Sequence, residues 1–145
     1  MVNRDRVAAK IADLSDRVSR AKQHCPPTAA DLASNRDALD LVAFNLMLAV
    51  QACADIASHL IADQGWPAAQ NLADGFQRLH DRGVISGATA SALSRAVGLR
   101  NVVAHGYSGI DANVVHAAAT RGVADLDAFA REVARWLEST RFPPQ

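Results

Sequence analysis

The residues best suited to chemistry lie close together near position 100. Arg100, Asn101, His105 and Tyr107 form the pattern R-N-x-x-x-H-x-Y, and Tyr107 is the only tyrosine in the chain. Arginine is a permanent cation that contacts two phosphate oxygens at once, and histidine exchanges a proton near neutral pH. This combination of residue types indicates acid–base chemistry on an anionic substrate.

The spacing of Arg100 and His105 limits how the two side chains can meet. Five residues along one regular helix rotate the side chain by about 140°. Either the helix ends between the two residues, or two subunits contribute them to one shared cleft.

A second polar set follows one line of a long apolar segment. Gln51, Asp55 and His59 recur at four-residue spacing, and Asp40 falls close to the same line. The segment 41–50 is apolar almost all round, which is typical of the central helix of a bundle or of a helix at a subunit interface. Buried polar groups need partners, so we expect this stripe to line a water-filled cleft or to enter a polar network. Asp55 and His59 alone do not make a metal site, and no metal or other cofactor is predicted.

The elements that position these residues are predicted to be helices. The chain contains 30 alanines and few clusters of β-branched or aromatic residues, which favours an all-α fold. Apolar periodicity, caps and Gly/Pro breaks predict six helices. They span residues 3–23, 28–64 (capped by Thr28), 68–82, 88–104, 111–121 and 126–140. A length of 145 residues predicts a single domain over 1–145 with a loose tail at about 141–145.

Composition excludes several classes of protein. The 15 basic and 15 acidic residues include no basic tail of the kind that binds nucleic acid non-specifically. The only glutamates, Glu132 and Glu138, lack a histidine three residues later, which argues against a ferritin-like di-iron bundle. Two cysteines do not make a disulfide framework. Because no apolar run approaches about 20 residues and no secretion signal is evident, we expect a cytoplasmic protein without a membrane partner.

Taken together, these residues resemble the HEPN superfamily and, within it, the HepT-like toxins. Arg100, Asn101, His105 and Tyr107 match the R-x-x-x-x-H-x-Y motif of that family. The segment 49–61 is similar to its central helix, and 83–85 to the turn before its motif helix. The resemblance covers about residues 5–140, and one departure is Gly106, where such toxins commonly have glutamate.

The resemblance implies an up-and-down bundle of five to six helices that forms a homodimer with two motifs facing one cleft. It also implies a metal-independent endoribonuclease toxin of a type VII-like toxin–antitoxin pair, with Arg100 and His105 catalytic and Asn101 and Tyr107 contacting RNA. RNA would be cut by attack of its own 2′-hydroxyl. The implied antitoxin is a minimal nucleotidyltransferase (MntA-like) that silences the toxin by transferring AMP to Tyr107. The alternative is a non-enzymatic HEPN subunit that binds such a nucleotidyltransferase.

Overall fold

The regular elements of the chain are helices throughout the residues that can be described. The computed structural model describes the backbone of residues 2–105 and 109–141, and the side chains of residues 2–101 and 109–141. These ranges contain α1 (Arg4–His24), α2 (Ala29–Ala33), α3 (Arg36–Asp63), α4 (Leu72–Asp81), α5 (Gly87–His105), α6 (Ala112–Ala117), a π-helical turn (Ala118–Gly122) and α7 (Val123–Arg141). The predicted all-α bundle is confirmed. Of the predicted loose tail, Arg141 is the last residue of α7, and 142–145 lie outside the described residues.

Helix α3 is the centre of the bundle, as its nearly all-round apolar character predicts. It packs along α1 and contacts α4, α5 and α7. Thirteen of its 28 residues are buried. Asn45 interrupts this apolar surface, yet both ends of its amide are bonded: Nδ2 donates to the Leu41 carbonyl at 2.8 Å, and Oδ1 accepts from Arg17 at 3.2 Å. The buried asparagine therefore has the partners that burial requires.

Among the described residues, α3 is also the one helix long and apolar enough to cross a membrane by length and composition. Of its most apolar stretch, 61% is buried inside the bundle. Since the core helix of a helical bundle has the same composition, this feature is accounted for by packing.

The predicted long helix 28–64 is wrong at its start, because two caps divide it. Thr28 begins only the short α2, where its hydroxyl accepts from the Asp31 N–H at 3.1 Å. Asn35 then begins α3, and its side chain accepts from the Ala38 N–H at 3.1 Å. A side chain that satisfies the first free N–H groups of a helix fixes where that helix begins. The end near Gln64 is confirmed, and Gly65 follows with φ +67°.

Two further predicted boundaries differ from the structure. Helix α4 begins at Leu72 and not at Ala68, because the Asn71 side chain accepts from the Asp74 N–H at 2.8 Å. The last two predicted helices are joined, since the π-helical turn carries α6 into α7 without a break. The helices predicted over 3–23 and 88–104 agree with α1 and α5 to within one residue at each end.

The first turn of α5 is tied to α7. Ser86 caps α5 by accepting from the Thr89 N–H at 3.2 Å, and Glu132 of α7 accepts from the Ser86 N–H and the Thr89 hydroxyl, each at 2.5 Å. Burial raises the pKa of Glu132, but these hydrogen bonds and nearby Arg131 outweigh it, so that its pKa lies below the ordinary value. This cluster anchors the beginning of the helix whose other end carries Arg100.

Candidate functional site

Arg100 lies near the end of α5, against the outward side of α3. Its Nε donates to Gln51 Oε1 at 2.7 Å, which joins two residues that are 49 positions apart in the chain. Arg100 and Gln51 are both half-buried. The guanidinium is therefore fixed at one edge while the side chain stays accessible to a ligand.

The network continues from Gln51 to α1. Gln51 Nε2 donates to Asp55 Oδ1 at 3.0 Å, one turn along α3. The other carboxylate oxygen of Asp55 pairs with Lys10 Nζ at 3.5 Å. Three helices thus contribute to one chain of polar contacts, Lys10–Asp55–Gln51–Arg100.

Asn101 extends this network towards a cleft. Arg100 Nη1 donates to Asn101 Oδ1 at 3.3 Å, and no described residue takes a hydrogen bond from Nη2. Both side chains line a cleft of about 850 Å³ between α3, α5 and the segment leading into α4. Small residues such as Ala54, Ala57 and Gly75 line its walls. A cationic group at the edge of an open cleft is suited to hold an anionic ligand such as a phosphate.

The polar stripe predicted along α3 divides into joined and separate members. Gln51 and Asp55 enter the network with Arg100, as one of the two expected arrangements requires. His59 is half-buried, and no described residue forms a hydrogen bond with it. Asp40 is exposed and lies 3.9 Å from Arg36. A functional role for any of them stays a prediction.

The helical path through the motif resolves one alternative left open by the sequence. Helix α5 runs from Gly87 to His105, so it does not end between Arg100 and His105. The other alternative, a cleft shared by two subunits, stays a prediction. The side chain of His105 lies outside the described residues, and so does Tyr107.

Sequence reasoning missed the contribution of Lys10. Its contact with Asp55 joins residues that are 45 positions apart, and no local pattern indicates which basic residue of α1 faces α3. Among the described residues, no group of three or more His, Cys, Asp or Glu side chains could hold a metal ion.

Comparisons with known proteins agree with this fold. A family model described as Ribonuclease HepT-like matches residues 14–133. The mRNA nuclease HepT of Shewanella oneidensis is 30% identical over 90 residues, which cover 62% of this chain and 68% of that protein.

Solved structures share this helical architecture over most of the chain. The tri-AMPylated Shewanella oneidensis HEPN toxin, solved in complex with MNT antitoxin, is 25% identical with a TM-score of 0.82, covering 89% of this chain and 96% of that one. YutE from Bacillus subtilis, a cytosolic protein of unknown function, is 14% identical with a TM-score of 0.82, covering 99% of this chain and 96% of that one. The second likeness shows the fold alone. With a family model spanning most of its length and a relative at 30% identity, the chain belongs to the HepT-like ribonuclease family.

Proposed function

We propose that this chain is an endoribonuclease toxin in which Arg100 and His105 cut RNA without a metal ion. One observation carries the proposal: Arg100 is fixed through Nε at the edge of an open cleft, which leaves its Nη groups for a phosphate. Membership of the HepT-like family and the naming of a relative as an mRNA nuclease support RNA as the substrate.

The proposed reaction uses the 2′-hydroxyl of the RNA itself. A neutral imidazole takes the 2′ proton while the 2′ oxygen bonds to the adjacent phosphorus, and the bond from phosphorus to the 5′ oxygen breaks. A protonated imidazole gives its proton to the departing 5′ oxygen. Arg100 neutralises charge on the phosphorane through paired N–H donors, and Asn101 contacts the same phosphate. The products are a 2′,3′-cyclic phosphate and a 5′-hydroxyl.

Two histidines are needed if base and acid act in one turnover, and a homodimer supplies both. The outward strip of α3 (Asp40, Phe44, Leu48, Gln51 and Asp55) supports such an assembly. Phe44 is 50% exposed, one of the two large hydrophobic side chains exposed among the described residues, and it lies two turns before Gln51. We place the two-fold contact on this strip, which brings two copies of the Arg100 site together.

We place control of the toxin at Tyr107, through AMP transfer by a minimal nucleotidyltransferase in the same cytoplasm. The AMPylated state of the Shewanella toxin and its complex with MNT antitoxin support this part of the proposal. Each AMP adds a phosphate, whose charge would pair with Arg100 and exclude RNA from the cleft.

The test is cleavage of a single-stranded RNA by purified protein in EDTA, followed by analysis of the product ends. We expect cleavage with 2′,3′-cyclic phosphate and 5′-hydroxyl ends. No cleavage by the wild-type protein, together with tight binding to a partner nucleotidyltransferase, would favour the non-enzymatic binding subunit. Cleavage that stops in EDTA and returns with a divalent ion would contradict the metal-independent mechanism.

A further inference from the structure

We propose that Gln51 and Asp55 are positioning residues, which orient the Arg100 guanidinium for the phosphate of the substrate. The inference rests on the proposed ribonuclease function and adds a role that the Arg/His motif does not contain. It starts from the unbroken contact chain between Lys10, Asp55, Gln51 and Arg100.

The direction of each hydrogen bond in this chain is fixed by chemistry. Arginine Nε only donates, and an ionised carboxylate only accepts. Gln51 lies between the two, so its amide must turn its oxygen to Arg100 and its NH2 group to Asp55. Turning the amide over would place donor against donor at one end and acceptor against acceptor at the other. Asp55 therefore helps to keep the amide oxygen of Gln51 directed towards Arg100.

Lys10 lies at the other end of this contact chain from Arg100. The Lys10 and Asp55 side chains are 31% and 39% exposed, so their attraction is screened and adds little stability of its own. The effect of Lys10 is geometric. Because Lys10 holds one carboxylate oxygen of Asp55, the other oxygen stays directed towards Gln51. The relay thereby connects α1, α3 and α5 at the level of the site.

The consequence for Arg100 is a division of its donors. Nε is used inside the protein, and the Nη groups remain at the cleft edge, where Asn101 holds Nη1 at 3.3 Å. Without Gln51, the guanidinium rotates about its last bonds and spends less time in the orientation that contacts the phosphate. Misplacing a group that stabilises the transition state lowers the rate of the chemical step more than it weakens substrate binding.

The first variant is Gln51→Met, which keeps the length of the side chain and removes both hydrogen bonds. We expect kcat/KM for RNA cleavage to fall about 10- to 100-fold, mostly through kcat, with the melting temperature little changed. The matched control is Gln77→Met. Gln77 Nε2 donates to Asp81, four residues later, at 3.1 Å on the exposed side of α4. Loss of this hydrogen bond should leave cleavage unchanged.

The second variant tests orientation by exchanging the two groups. In the double variant Gln51→Glu/Asp55→Asn, the carboxylate accepts from Arg100 Nε and from the new amide. Net charge and both hydrogen bonds are retained, with the direction of the bond along α3 reversed. We expect cleavage within about threefold of wild type, because the double variant still offers an acceptor to Arg100 Nε. Such a result would show that cleavage requires Nε to be held, and does not require these two side-chain types.

The third measurement does not depend on activity. The Nε–H resonance of Arg100, assigned by its absence in Arg100→Lys, should exchange slowly with water in the wild type and faster in Gln51→Met. Equal exchange in the two proteins overturns the relay, and so does wild-type kcat in Gln51→Met while the wild type cleaves RNA. If the wild type does not cleave RNA, the proposed function fails, and the exchange measurement still decides whether Gln51 holds Arg100.

Discussion

At the residue scale, the site depends on a guanidinium whose donors serve two purposes. Arg100 gives Nε to Gln51 and keeps its Nη groups for a ligand. A lysine offers a single nitrogen on a flexible stem and cannot contact Gln51 and a phosphate with separate edges. The choice of arginine at this position is therefore set by geometry as well as charge.

We expect Arg100→Lys to lower RNA cleavage by about 10²–10³-fold, because the charge remains but the separate Nε and Nη donors are lost.

His105→Ala should lower RNA cleavage by about 10²–10⁴-fold through loss of proton transfer. Cleavage rates and circular dichroism of each variant check these values. His24→Ala, at the exposed end of α1, is the control. Wild-type cleavage by His105→Ala would show that the catalytic assignment is wrong.

The proposed silencing depends on a single residue, Tyr107. Tyr107→Phe removes the acceptor oxygen and keeps the ring, so the variant should fold and stay free of AMP after incubation with the partner nucleotidyltransferase and ATP. Intact-protein mass spectrometry measures this directly, with the residual toxicity of the variant measured first. An equal mass gain on wild type and variant would place the modification on another residue.

At the element scale, α5 is fixed at both ends by contacts from other helices. Glu132 of α7 holds its first turn through Ser86 and Thr89, and Gln51 of α3 holds Arg100 near its last turn. These polar contacts from α3 and α7 add to the packing of the motif helix against α4.

Glu132→Gln should lower the free energy of unfolding by about 1 kcal/mol at pH 7, because an ionised acceptor of two hydrogen bonds becomes a neutral one. The folded-state pKa of Glu132 is depressed. Its contribution is therefore complete above the unfolded-state pKa and is lost as the pH falls through the folded-state value.

Urea unfolding at pH 7 and at pH 3 should show a difference between wild type and Glu132→Gln that shrinks in acid. Glu138→Gln is the matched control, since it changes the other glutamate on the same helix, at an exposed position. A difference that grows in acid would contradict the assigned sign.

The helices themselves were largely predictable because their determinants are local. Apolar periodicity located α1, and glycine breaks with Ser86 as a cap located α5. The polar stripe on α3 correctly indicated that Gln51 and Asp55 share a line. The start of α3 was not predictable from Thr28, since Thr28 and Asn35 are both good caps and packing decides which one begins the long helix. The contacts of Arg100 with Gln51 and of Asp55 with Lys10 depend on how helices dock, which no local pattern specifies.

At the scale of the whole molecule, α3 has two functions. Its inner side forms the core, and its outward strip joins the exposed Phe44 to the site at Gln51. An exposed aromatic side chain two turns before Gln51 is the feature on which the proposed assembly depends.

Phe44→Glu should prevent the proposed dimer from forming and abolish most RNA cleavage, because it would place two carboxylates against each other at the proposed two-fold contact. Light scattering at micromolar concentration measures the mass. Val114→Glu changes the other large exposed hydrophobic residue, which is 47% exposed, and should leave the dimer intact. A wild-type protein that is monomeric at 15.4 kDa would count against the shared cleft.

The π-helical turn between α6 and α7 has a consequence for the evolutionary history of the chain. A π turn closes its hydrogen bonds over one residue more than an α turn, so the segment Ala118–Gly122 has the form of a one-residue insertion absorbed within a helix. We expect some relatives to lack that residue and to align with a single gap inside this segment. Insertions usually accumulate in surface loops, where they leave the packing unchanged. Here the added residue would instead have changed the phase between α6 and α7, so the ancestral helix would present a different set of side chains to the core.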